Sequence, residues 1–88
     1  MSASEDSQII EMKLFIYSLD KTLYEGGADV VTLPTETGEI SVLPAHAPLV
    51  TILAEGDVRL KSKNKEKTLT IKGGFAEINQ KQMILLVK

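Results

Sequence analysis

The sequence has no cysteine and no tryptophan, and a single histidine among its 88 residues. Without cysteine there can be no disulfide, no thiol nucleophile and none of the common thiolate zinc sites. The absence fits a reducing cytosol. Aromatic residues make up only 5% of the chain, too few to stack bases along a small β-barrel. The net charge is −2, so no excess of positive charge draws nucleic acid or anionic lipid. No apolar run approaches the roughly 20 residues of a membrane-spanning helix. Residues 1–11, MSASEDSQIIE, lack the basic and apolar regions of a secretory signal. A protein soluble on its own, meeting a membrane only through a partner, is the expectation.

What is present is ordinary globular material, 43% hydrophobic and 25% charged, enough for one domain and not two. Residues 1–10 are small, polar and acidic and are expected to form a mobile segment ahead of a domain spanning 11–88. From there the chain reads as short strands. Residues 11–18 put Met12, Leu14 and Ile16 on one face and Phe15 and Tyr17 on the other. A short strand at 22–24 is expected to break at Glu25-Gly26-Gly27. Residues 49–53 are a continuous apolar segment expected to be a buried strand. Val58 and Leu60 alternate with Arg59 and Lys61, and Leu69 and Ile71 alternate beyond a hydrophilic loop whose Asn64 suits a hairpin tip. Gly73-Gly74 marks a bulge or a close approach of two backbones. Residues 75–79 and 83–87 read as a hairpin. About nine strands at regular spacing, without a helical period, predict an all-β sandwich or barrel. Its inward residues are expected to include Leu14, Ile16, Leu33, Val42, Leu49, Ile71 and Phe75.

One stretch organises the rest. Residues 32–50, TLPTETGEISVLPAHAPLV, hold all three prolines and the histidine. Two strands flank an acidic turn in which Gly38 can take a positive φ. The segment Pro44-Ala45-His46-Ala47-Pro48 then bridges to the next strand. Each proline fixes its own φ and pushes its predecessor, Leu43 or Ala47, toward extended backbone. A stiff, exposed bridge of this kind suits recognition.

A catalytic constellation is not legible. Glu36 and Glu39 lie in one turn, where nothing separates their pKa values into an acid and a base. His46 has no cysteine or serine nucleophile beside it and no second histidine to share a metal, so its expected role is packing or an interface hydrogen bond. Gly73-Gly74 belongs to neither a Walker pattern nor a dinucleotide-binding GxGxxG, so it is no phosphate cradle. No catalytic residue, metal or cofactor is expected. The residues describe a part that docks.

With these residues in view, the order TGE, LPAHAPLV, EGDVRL, IKGGFAEI and a closing ILLV resembles the epsilon subunit of rotary proton-driven ATP synthases, whose mitochondrial counterpart is called delta. The likeness runs from about Met12 to Val87. It implies a flattened ten-stranded sandwich of two five-stranded sheets, and a non-catalytic rotor subunit in the central stalk. Such a subunit joins gamma to the membrane c-ring, with the alpha and beta subunits as partners through the assembled complex, on the cytoplasmic side of an energy-transducing membrane, most naturally a bacterial inner membrane. Carried over position by position, the resemblance implies a c-ring contact at Glu36, Thr37, Gly38 and Glu39. It implies a gamma contact at Pro44, Ala45, His46 and Pro48, with Thr51, Lys72 and Gly73 joining it. The helical hairpin that follows the sandwich in family members has no counterpart in these 88 residues, so hairpin-mediated inhibition and ATP binding are not expected of them. The alternative is a free-standing β-sandwich that binds a ligand or peptide along a sheet edge.

Overall fold

The computed structural model describes residues 11–45 and 47–88. His46 and the expected terminal segment 1–10 lie outside the described residues. Nine strands follow one another: β1 (Met12–Tyr17), β2 (Thr22–Ala28), β3 (Val30–Thr35), β4 (Gly38–Val42), β5 (Leu49–Leu53), β6 (Gly56–Ser62), β7 (Lys65–Ile71), β8 (Gly74–Ile78) and β9 (Gln82–Val87). They form one curled path, β2-β1-β9-β8-β5-β3-β6-β7, with β4 on the free side of β3. The curl folds this path into a sandwich whose first layer is β2-β1-β9-β8-β5 and whose second is β4-β3-β6-β7. The expected sandwich is therefore present, with five strands in one layer and four in the other among the described residues.

The layers meet at a corner in β3. Its first half pairs with β6, through Val31 opposite Leu60, whereas its last residue, Thr35, pairs with Leu53 of β5. The Ala54 N–H donates to the Pro34 carbonyl at 2.8 Å and fastens the same corner. Inside the first layer, β1 and β9 pair in parallel, Leu14 beside Met83 and Ile16 beside Leu85. The first and last strands of the sandwich thus support each other.

Period-two alternation places the core. Met12, Leu14 and Ile16 of β1, Val31 and Leu33 of β3, Val58 and Leu60 of β6, and Met83, Leu85 and Val87 of β9 are all buried. Taking one such side chain out of water contributes about 1.5–3 kcal/mol. The Lys63-Asn64 turn between β6 and β7 has both residues at positive φ, 51° and 71°, as a tight hairpin requires.

Three expectations need correction. Gly26 and Gly27 do not break β2, which runs from Thr22 through Ala28 in register with β1. The glycines serve packing: the Tyr24 ring lies over Gly26, where a Cβ would sit 3.1 Å from its hydroxyl, and the Glu11 carboxylate occupies the space beside Gly27. Residues 49–53 are not uniformly buried. Val50 and Ile52 point outward and are 58% and 53% exposed, while Leu49 is only partly buried. Phe75 also faces out, 42% exposed, because it shares the parity of Glu77, whereas Ala76 and Ile78 fill the core.

Candidate docking interface

The acidic turn is built from its first residue upward. Thr35 is the one buried polar residue among those described. Its hydroxyl donates to the Gly38 carbonyl and accepts the Thr37 N–H at 3.3 Å. A hydroxyl buried this way must be satisfied, and the turn satisfies it. The closure makes the chain reverse over Glu36 and Thr37, with Gly38 at φ 126°. Glu36, Thr37, Gly38 and Glu39 are all exposed, as a contact surface requires. The Glu39 carboxylate meets Arg59 of β6, Oε2 to Nη2, at 3.0 Å.

Antiparallel pairing of Thr35 with Leu53 brings the turn alongside β5. Glu36 and Thr37 therefore line an open groove of about 400 Å³ together with Val50, Thr51, Ile52 and Phe75. This groove joins two residues expected at the c-ring to one expected at gamma, Thr51.

The remaining expected residues divide. Pro44 is half-buried, and Ala45 and Pro48 are exposed, in the loop that enters β5 at Leu49. Ala45 has φ 66°, a conformation that non-glycine residues rarely take. Lys72 and Gly73 stand at the other end of β5, where Gly74 pairs with Leu53. Lys72 is exposed, whereas Gly73 is buried. The Lys72 N–H donates to the Lys88 carbonyl at 2.7 Å, and the Lys88 N–H donates to the Gly73 carbonyl at 3.1 Å.

Between these ends lies a surface that the sequence reading missed. Direct cross-strand neighbours on the outer face of the first layer form a row, Tyr17–Leu86–Phe75–Ile52, across β1, β9, β8 and β5. A second row runs Phe15–Ile84–Glu77–Val50 over the same four strands. The Phe15 and Tyr17 rings stack with centroids 6.2 Å apart. Seven of these eight side chains are apolar or aromatic, and four of them are more than 40% exposed. The outer face of the second layer contrasts with it: Glu39, Ser41, Thr32, Arg59, Lys61, Glu66 and Thr68 populate it. Thr32 and Ser41 share a hydrogen bond there at 3.2 Å, and the Thr70 hydroxyl donates to Asp57 at 2.8 Å. One outer face is dressed for water and the other is not. A contiguous exposed apolar face of this kind marks an interaction site.

Among the described residues, no three His, Cys, Asp or Glu side chains come together as metal ligands. Among the same residues, no helix is long and apolar enough to cross a membrane.

Comparison with known proteins agrees with the architecture. The family model described as the β-sandwich domain of the ATP synthase delta/epsilon chain matches residues 11–88. The ATP synthase epsilon chain of Prochlorococcus marinus (strain MIT 9515) is 41% identical over 76 residues, which cover 86% of this chain and 57% of the relative. That of Alkalihalophilus pseudofirmus is 36% identical over 77 residues, covering 88% and 58%. The chain thus spans a little more than half the length of these relatives. Among solved structures, a chain of the Euglena gracilis mitochondrial ATP synthase, determined as OSCP, F1 and c-ring, superposes with a TM-score of 0.83 at 25% identity, over 88% of this chain and 50% of that one. A chain from the central stalk and c-ring of the Tetrahymena thermophila mitochondrial enzyme shares the fold, with a TM-score of 0.72 at 14% identity, covering 86% and 62%.

Proposed function

This chain belongs to the delta/epsilon β-sandwich family of ATP synthase, and we propose that it serves as a non-catalytic subunit of the enzyme's central stalk. In this reading it seats between gamma and the membrane c-ring, turns with them, and helps couple proton flow to ATP synthesis. Bond chemistry belongs to the alpha and beta subunits. The subunit works peripherally, on the face of an energy-transducing membrane that carries the catalytic head, the cytoplasmic face in a bacterium. Residues 11–88 are its docking domain.

The observation that carries the reading is the pair of apolar rows on the outer face of the first layer, adjoining an acidic turn. Side chains such as Val50, Ile52, Phe75 and Leu86 remain half in water in the free chain. A partner that covers them gains roughly 25 cal/mol for each Å² of apolar surface removed from water. A stable, specific interface needs about 800 Å² from each side, so the flanking residues complete it. Pro44, Ala45, Pro48 and Thr51, with Lys72 and Gly73 at the far end of β5, are assigned to the gamma contact, and His46 is assigned there from the sequence. Glu36, Thr37, Gly38 and Glu39 are directed toward the c-ring, where a negative turn meeting positive loops orients docking more than it adds affinity.

Site-specific photocross-linking tests the reading. A benzophenone side chain at Ile52 is expected to cross-link to gamma in the assembled enzyme, and one at Ser41, on the polar face, is not. Equal cross-linking from both positions, or none from Ile52, overturns the assignment.

A further inference from the structure

Glu39 is not a free charge. Arg59 reaches it across β3, whose Thr32 pairs with Arg59 and whose Pro34 pairs with Glu39. The ion pair is 3.0 Å long, its side chains are 52% and 54% exposed, and it is the only ion pair among the described residues. The neighbouring charges on β6 do not compete for Arg59. Asp57 accepts the Thr70 hydroxyl, and Lys61 stands opposite Glu66. Glu36 is exposed as Glu39 is, but it stands at the tip of the turn and lines the groove that opens on Val50 and Ile52.

We propose that Arg59 sets the charge this turn offers. It pins Glu39 flat against the polar outer face, which leaves Glu36 as the carboxylate that meets a cationic loop on the partner. The inference rests on the docking role proposed above and names the specificity-determining residues within it. An exposed ion pair is too weak to matter much for folding. Its effect is on recognition. A carboxylate held against a guanidinium is a nearly neutral pair when sensed from a Debye length, about 10 Å, away, so an approaching cation responds to Glu36. Arg59 is a positioning residue here and touches no partner itself.

The test measures association of the 88-residue chain with the cognate gamma–c-ring complex in lipid nanodiscs, at roughly 50 mM and roughly 500 mM salt. Each variant is first checked for native amide chemical shifts. Glu36→Gln is expected to slow association by about threefold or more at low salt, and the difference should fade at high salt. Glu39→Gln combined with Arg59→Gln removes the neutral pair as a whole and is expected to change it by less than about twofold. Arg59→Gln releases the pinned carboxylate and should speed association by about twofold or more; in that background Glu39→Gln becomes as costly as Glu36→Gln. The proposal is overturned if removing both members of the pair costs as much as Glu36→Gln, or if Arg59→Gln slows association or leaves it unchanged. A complex that forms normally while neither carboxylate matters in any background instead removes the acidic turn from the docking reading, and this inference with it.

Discussion

At Gly74 a single methyl group would have no room. The residue opens β8 between Leu53 on β5 and Val87 on β9. Its φ is 150°, and a Cβ there would fall on the Leu86 carbonyl oxygen and lie 2.9 Å from the Val87 Cα. Those are backbone atoms of the adjoining strand, which cannot swing aside as a side-chain tip does. Gly73 is a built-in control. Its φ is 145°, but its Cβ would meet nothing closer than the Leu53 carbonyl at 3.6 Å and the Lys88 Cε at 3.8 Å. Gly73→Ala therefore carries backbone strain alone, about 1–3 kcal/mol. Gly74→Ala carries the same strain and must also push β9 away, which loosens the ladder where Gly74 faces Val87 and Phe75 faces Leu86. Two ladder hydrogen bonds at about 1 kcal/mol each put it about 2 kcal/mol beyond Gly73→Ala. Urea unfolding followed by circular dichroism measures both variants, and the difference between them isolates the clash. Equal losses, or a Gly74→Ala domain as stable as the parent, would refute the claim that β8 and β9 are held in contact by the missing side chain.

Other expectations follow from burial and hydrogen bonding. Leu14→Ala, at a site with no exposure, should cost about 2–5 kcal/mol in the same unfolding assay, a large share of the stability of so small a domain. Thr35→Val strips the donor from the Gly38 carbonyl and should cost about 1–2 kcal/mol, with the amide resonances of Glu36 and Thr37 shifting in an NMR spectrum. Phe75→Ser should cost about 1–3 kcal/mol of stability, because the ring is 42% exposed and only the rest is buried, yet weaken docking by tenfold or more, as loss of an aromatic anchor does.

Much of this architecture was legible because each strand reports its own parity. Val58 and Leu60 against Arg59 and Lys61, or Leu69 and Ile71 against Thr68 and Thr70, declare their inner face without help. Asn64 marks the hairpin tip, and Gly73-Gly74 marks the close strand approach, for local reasons. The misreadings share a different origin. Gly26 and Gly27 look like breakers until the Tyr24 ring and the Glu11 carboxylate are seen to use the space they leave. Phe75 looks like core, although counting back two residues from Glu77 would have turned it outward. Residues 49–53 give no such cue, since Thr51 stands between apolar neighbours on either side. The parallel pairing of β1 with β9 and the Arg59–Glu39 ion pair join residues far apart in sequence, which a local reading cannot reach. The turn at Glu36–Glu39 was found in the sequence, but the apolar rows that give it a neighbour exist only after four strands align.

The most direct test of the account is a calorimetric titration of the folded chain into a complex of the cognate alpha, beta and gamma subunits, with Ile52→Ser and His46→Ala run alongside. The account predicts one-to-one binding that Ile52→Ser weakens by tenfold or more while the domain stays folded, and that His46→Ala also weakens. A natively folded parent chain that fails to bind, or that binds as well with Ile52→Ser as without it, would contradict the claim that the apolar face of this sandwich is its seat on the central stalk.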